Sequence, residues 1–429
     1  MRLDRVTPDQ GPTEGGTRVR LEGVGFLAGL SARFGEVPGA DLVVVSDQVA
    51  TVVAPAGAFG AVDVALTQVD GAVSTLAAAF HYFWTTFSFQ APSVHGLSGT
   101  AEGLALADLN GDGVLDAATA NFSSNQVDVL LGNGNGTFAA RTSFPVPNNP
   151  ARIVAADFNG DGVLDLAATR YNAGNVAVLI GVGDGTFAGQ VSYPMEGGGT
   201  QLVGLKAVDM DGDGTLDLVG AHRSGGNRVA IWIGRGDGTF ADGVAYGTIT
   251  GAYELAVADF DADGDMDVAV ASLSGTVMRV MWNNGDGTLA AGGTDLETGG
   301  AMVAVVARDF DGDGDADLAA TRNGGNYVAV VLNNGDGSFA GQQQSVIGAT
   351  LRGLTAADIN GDGIQDLLVS GSSGLYPAFG NGDGTFVPLA VSAGFSRSYA
   401  VEAVDLNGDG HPEGLTVGNS LQVGIGVGQ

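Results

Sequence analysis

The chain alternates between apolar runs a few residues long and polar turns built from Gly, Asp and Asn. The runs, such as 153–156, 164–169 and 176–180, are rich in Val, Ala and Leu. They are short and bounded by turn residues, which favours strands over helices. No segment combines helix caps with a helical period. The pattern predicts many short strands joined by tight turns.

One nine-residue stretch organises the rest. It starts at Asp108 and returns at Asp157, Asp209, Asp259, Asp309, Asp358 and Asp405, in steps of 49, 52, 50, 50, 49 and 47 residues. An apolar run precedes each copy and a second follows it. A third comes after a polar turn, at 127–131, 176–180, 229–233 and 328–332. Next comes Gly-Asp-Gly-Thr-Phe at 183–187, 236–240 and 382–386, with variants at 134–138, 285–289 and 335–339. Its aromatic is expected to open a fourth strand. A period near 50 with four strands predicts propeller blades, seven in all.

The last repeat ends at its third run, 421–427, with no such turn after it. Phe89 lies 19 residues before Asp108, the same offset that separates Phe138, Phe240, Phe339 and Phe386 from their following loops. The segment near 85–95 is therefore expected to supply the missing outer strand and close the ring, which removes an open edge.

Residues 1–83 lack the repeat. Strands are expected at 18–21, 31–34, 42–45, 50–53, 61–66 and 75–82, forming a small immunoglobulin-like sandwich. The fold class is all-β: a seven-bladed propeller over 84–429 behind a sandwich over 1–83, with a short, stiff junction at Trp84.

The recurring loops carry the chemistry. Oxygen side chains stand at positions 1, 3, 5 and 9, and glycine at position 6. Alternate residues of a tight loop can turn onto one ion, and calcium takes six to eight oxygens at about 2.3–2.6 Å. Position 7 has no side-chain preference, which suits a backbone carbonyl ligand. The expected ligands, with position 7 fourth in each set, begin with Asp108, Asn110, Asp112, Val114 and Asp116 in the first loop and Asp157, Asn159, Asp161, Val163 and Asp165 in the second. The third supplies Asp209, Asp211, Asp213, Thr215 and Asp217, and the fourth Asp259, Asp261, Asp263, Asp265 and Asp267. The fifth supplies Asp309, Asp311, Asp313, Asp315 and Asp317, and the sixth Asp358, Asn360, Asp362, Ile364 and Asp366. The seventh supplies Asp405, Asn407, Asp409, His411 and Glu413. About seven Ca2+ are expected, one per blade. An EF-hand would need glutamate at position 12, where Thr119, Ala168, Gly220, Val270, Ala320, Val369 and Thr416 stand instead.

Charge supports this reading. Net charge is −31, from 17 basic and 48 acidic residues. The loops hold 26 of those acids, so the remaining 22 nearly balance the 17 bases. Such acidity argues against nucleic acid and anionic membrane as partners, and Lys206 is the only lysine. The chain has no cysteine, so neither disulfides nor thiolate metal sites are available. No apolar run is long enough for a transmembrane helix. Met1-Arg2-Leu3-Asp4-Arg5 lacks the apolar region of a signal peptide.

The motif Asp-x-Asn/Asp-x-Asp-Gly-x-x-Asp, followed by Gly-Asp-Gly-Thr-Phe, resembles FG-GAP/VCBS repeats, as in the integrin α-subunit propeller. The resemblance covers about 84–429. It implies calcium in the loop between the first and second strands of each blade. Ala262 departs from the position-4 glycine, and loop seven departs with His411-Pro412-Glu413. Residues 6–17, with Gly23-Val24-Gly25-Phe26, resemble an IPT/TIG domain, which implies a spacer or interaction module.

Several other signals have plainer readings. Arg235-Gly236-Asp237 spells an adhesion tripeptide but coincides with the recurring turn. His81, His95, His222 and His411 show no zinc-type spacing. Trp84, Trp232 and Trp282 are expected to pack. No set of Lys, Arg, His and Tyr converges in the sequence, although distant repeats can assemble one. The expectation is a non-enzymatic, secreted or surface binding and adhesion module for a protein or glycan, stiffened by calcium. Alternatives are a polysaccharide lyase or hydrolase and a building block of a multimeric surface assembly. Arginine dominance over lysine, with abundant Ala, Gly and Val, suggests a GC-rich bacterial source.

Overall fold

The computed structural model describes residues 1–224, 226–396 and 398–428, and among them there is no helix. Contacts divide the chain into two compact units. The first is Met1–Ser88 with Asp358–Ile364 and the segment beginning at Val427. The second is Phe89–Ala357 with Gln365–Gly426.

The N-terminal part is a sandwich of two sheets. One has the strands Arg2–Thr7, Arg18–Val24, Val49–Val53 and Ala40–Val44, in that spatial order. The other runs Gln10–Pro12, Val73–Phe83, Gly60–Thr67, Ser31–Phe34 and Val37–Pro38. Alternate residues face inward, so Val19, Leu21, Val52, Val64, Leu66 and Phe80 are wholly buried between the sheets. The Phe80 ring meets Phe34 edge-on at 5.0 Å. The strand Arg2–Thr7 does not appear in the sequence reading because a bulge between Leu3 and Arg5 breaks its alternation. Its two buried residues, Leu3 and Val6, are therefore three apart instead of two or four.

The second unit contains, among the described residues, seven four-stranded antiparallel sheets. The first strands, in order, are Ala101–Ala107, Ile153–Ala156, Thr200–Val208, Ala252–Ala258, Met302–Arg308, Leu354–Ala357 and Ala400–Val404. Each touches the next, and the last touches the first, so these strands form a closed inner ring. Second strands such as Asp116–Asn121 and Asp267–Ser272 are buried throughout, because neighbouring sheets cover both faces.

Closure follows the offset of Phe89. The seventh sheet takes its outer strand, Ser93–Gly96, from the N-terminal side and pairs it with Ser420–Gly424, so that Ser93 faces Val423 and Gly96 faces Ser420. That strand begins four residues after Phe89, just as the outer strand Thr142–Pro145 begins four residues after Phe138.

In most sheets the turn aromatic does not open the fourth strand, contrary to expectation. Phe138, Phe187, Phe240, Leu289 and Phe339 each form a single bridge back to the end of the third strand, to Gly132, Gly181, Gly234, Asn283 and Asn333. The outer strand starts later, for example at Val191 or Val244. Only Phe386 heads its strand, Phe386–Pro388. The aromatic acts as a plug: Phe240 stands at 5.4 Å from Phe158, Phe339 at 6.0 Å from Phe260, and Phe386 at 5.5 Å from Phe310. In each pair the partner is position 2 of the acidic loop of the preceding sheet, so the plug joins one sheet to the next.

Candidate functional site

Each acidic loop joins the first strand of a sheet to the second, and its own backbone amides hold its side chains. The position-1 carboxylate accepts the position-6 glycine N–H in all seven loops at 2.8–3.0 Å. The position-5 carboxylate accepts the position-7 N–H at 2.8–2.9 Å. Position 3 accepts the position-5 N–H at 2.8–3.3 Å. These short-range bonds curl positions 1, 3 and 5 around a common centre. Glycine at positions 4 and 6 adopts positive φ, as at Gly111 (75°) and Gly113 (84°). Ala262 is forced to 59° in loop four.

Position 9 differs from the others because it begins the second strand and is fully buried. Asp217 accepts Met210 N–H at 2.8 Å through Oδ2 and Gly234 N–H at 2.7 Å through Oδ1. Asp116, Asp165, Asp267 and Asp317 make the same two bonds in their own sheets. In the seventh loop Glu413 accepts Leu406 N–H at 2.7 Å and the Asn407 amide at 3.1 Å.

Position 2 also carries the link to the next sheet. The Met210 carbonyl accepts Asn283 Nδ2–H at 2.8 Å and Gly287 N–H at 3.1 Å. The Phe260 carbonyl accepts Asn333 Nδ2–H at 3.0 Å. Phe158 and Phe310 carbonyls accept Gly238 and Gly384 N–H at 2.9 and 3.1 Å. The residue held by the position-9 carboxylate is thus also held by the following repeat's turn.

The electrostatics are strained in a way a cation would relieve. Burial pushes Asp217, Asp267 and Asp317 up to about 6 and Glu413 up to about 7, and neighbouring loop carboxylates add to the rise. Asp116 and Asp165 are raised for the same reasons. Asp259 Oδ1 in loop four is buried with no hydrogen-bond partner among the described residues. Carboxylate oxygens of Asp209, Asp211 and Asp217 lie within 4.8 Å of one another, as do those of Asp259, Asp261 and Asp263, and of Asp309, Asp311 and Asp317. These clusters fit a hard, oxygen-liganded cation.

The other sequence signals fall mainly into packing. The Arg235 guanidinium donates to the Phe240 carbonyl, and Asp237 Oδ1 accepts from both the amide and the hydroxyl of Thr239, so the tripeptide is tied into its turn. Trp232 is buried, and its indole N–H donates to the Pro194 carbonyl at 2.9 Å. Trp84 is buried. Trp282 follows the third strand Val277–Met281 and is half-buried. His222 is wholly buried, and burial lowers it to about 4.

Distant repeats assemble a polar set that the sequence left open. The inner strands line a cavity of about 860 Å³ that includes Arg152, Lys206, Glu254, Arg308, Thr355 and Glu402. Arg152 Nε meets Glu254 Oε2 at 2.7 Å. Each of the six stands one, three or five residues before the first Asp of its own loop, which is one face of a strand. That parity is a sequence signal, obscured because most equivalent positions hold Gly, Ala or Val.

Comparison with known proteins follows the same division. The IPT/TIG domain family matches residues 1–82. The FG-GAP-like repeat family matches six overlapping segments: 108–168, 157–220, 209–270, 259–320, 309–369 and 358–415. No curated protein matches the chain. Among solved structures, a lectin of Agrocybe aegerita specific for non-reducing terminal N-acetylglucosamine is similar, with TM-score 0.50, 20% identity, and coverage of 88% of this chain and 92% of the lectin. BBS1N, solved in complex with ARL6DN, is similar with TM-score 0.57, 15% identity, and coverage of 80% and 97%. An auxiliary nutrient binding protein of Bacteroides ovatus aligns over 99% and 97% at 13% identity, with TM-score 0.43. The repeat match runs from 108 to 415, well over half of the 429 residues, and the chain therefore belongs to the FG-GAP-like repeat family, with an IPT/TIG domain ahead of the repeats.

Proposed function

We propose that the chain is a calcium-stabilised, non-catalytic binding module that works outside the cell or on its surface and recognises a protein or glycan. We take each four-stranded sheet of the second unit as a blade with one calcium loop. The observation that carries the calcium reading is the buried position-9 carboxylate, raised by burial and joined through position 2 to the following sheet. Bound calcium would supply the positive charge that lets these carboxylates ionise, with positions 1, 3, 5 and 9 and the position-7 carbonyl as ligands. The protein's own residues then transmit the order. The position-9 carboxylate orients the position-2 peptide, and that peptide seats the next repeat's turn.

The binding reading draws support from repeat architecture, and its glycan arm from a fold shared with a lectin. Thermal melts with calcium and with a chelator test the metal. The expected outcome is a large rise in melting temperature with calcium, since a site at 100 times Kd adds about 2.7 kcal/mol. Coincident melts would overturn it. A glycan array with a cell-surface pull-down tests binding, and turnover of a polysaccharide would replace this reading with the enzymatic one.

A further inference from the structure

We propose that the central channel of the propeller binds a small carboxylate carrying a neighbouring hydroxyl, the chemistry of an acidic sugar or a hydroxy acid. Lys206 and Arg308 receive the carboxylate, and Glu402 and Thr355 receive the hydroxyl. The four side chains come from four different sheets and line one cavity of about 860 Å³. That volume lies within the range of small-molecule sites.

The channel holds one finished ion pair and one unfinished set. Arg152 and Glu254 satisfy each other at 2.7 Å. The ammonium of Lys206, the only lysine in the chain, makes no hydrogen bond or ion pair among the described residues, although its charge reaches Glu402. Among the described residues the Arg308 guanidinium donates only to its own strand, at the Ala307 carbonyl. Among the described residues the Glu402 carboxylate accepts a single long bond, 3.3 Å, from Thr355 Oγ1. Apart from the long Thr355–Glu402 bond, these side chains line one cavity without completing one another's hydrogen bonds. A half-buried ammonium that lacks an acceptor, beside an exposed guanidinium with donors to spare, gains most from an anionic oxygen. A carboxylate supplies it, and a hydroxyl beside it gives Glu402 the donor it lacks. Alanine, valine and glycine on the same strand faces leave room for the carbon skeleton. A neutral sugar would satisfy Glu402 and Thr355 but bring no negative charge to Lys206 and Arg308, two cations that share the single carboxylate Glu402. The chain as a whole repels anions, so this local pair of cations is selective in place as well as in charge.

The inference rests on the binding-module reading and adds where and what the module binds. Isothermal titration of the calcium-loaded full chain with D-glucuronate, L-lactate and D-glucose separates the two sources from the neutral control. We expect one or both acids to bind and glucose to bind at least tenfold more weakly. Lys206→Met should weaken the acid by about tenfold or more, the value of one charge-assisted hydrogen bond. Because Lys206 is the only lysine, amine acylation read by mass spectrometry reports on it directly in the unmodified protein. The bound acid should protect Lys206 and leave the N-terminal amine reactive. Absence of both heat and protection overturns the channel site, and so does unchanged affinity in Lys206→Met. A glycan-array ligand retained by Lys206→Met would overturn the channel site while leaving the module reading intact.

Discussion

Replacing Asp217 tests how the loops hold the propeller together. The side chain is fully buried and accepts two backbone N–H groups, from Met210 at 2.8 Å and Gly234 at 2.7 Å. Asp217→Ala strands both donors. A buried donor without a partner costs about 1–3 kcal/mol, so the pair amounts to about 2–6 kcal/mol. The loss reaches the next sheet, because the Met210 carbonyl holds Asn283 and Gly287 there. Asp217→Asn is a different perturbation. It keeps the shape and one acceptor, and it removes a charge whose pKa burial has moved from 3.8 to about 6. That shift corresponds to about 3 kcal/mol against the ionised form at neutral pH without a cation. Losing that charge offsets much of the lost hydrogen bond when calcium is absent. When calcium is present the same change removes a ligand. Urea unfolding at pH 7.5 in calcium and in chelator reads both effects. Asp217→Ala should be destabilised in both conditions. Asp217→Asn should lie near the parent in chelator and lose one site's calcium increment. An Asp217→Asn protein with the full calcium increment, or an Asp217→Ala protein as stable as the parent in chelator, would refute the reasoning.

Three further outcomes are expected. Ala262→Gly should raise stability by about 1 kcal/mol, because Ala262 sits at φ 59°, where a Cβ costs about 1–2 kcal/mol and glycine's greater entropy loss returns part of that; denaturant midpoints check it. His222 is neutral in the folded state down to about pH 4, whereas the unfolded chain takes up the proton near 6.5. Stability is therefore full above about 6.5 and falls by about 3 kcal/mol as pH drops to about 4, and His222→Leu should flatten that slope in calcium-saturated melts. Phe310→Ala removes a buried ring that meets Phe386 in the next sheet, and should cost about 3–5 kcal/mol by chemical denaturation.

Much of this architecture can be read along the chain because it is built from local repeats. The acidic loops, the strands around them and the offset of Phe89 that places Ser93–Gly96 in the last sheet all follow from spacing within about fifty residues. Side-chain oxygens and backbone amides inside one nine-residue loop need no distant partner to find each other. Where local regularity breaks, the sequence is silent: a bulge hides the strand Arg2–Thr7, and the turn aromatics, which look like strand openers, are plugs against the loop of the preceding sheet. The channel lay furthest from view. Lys206, Arg308, Thr355 and Glu402 belong to four different sheets, and each is an isolated polar residue in an apolar strand. Only closing the ring turns one face of every inner strand toward a common axis, and only there do charges far apart in sequence share one cavity.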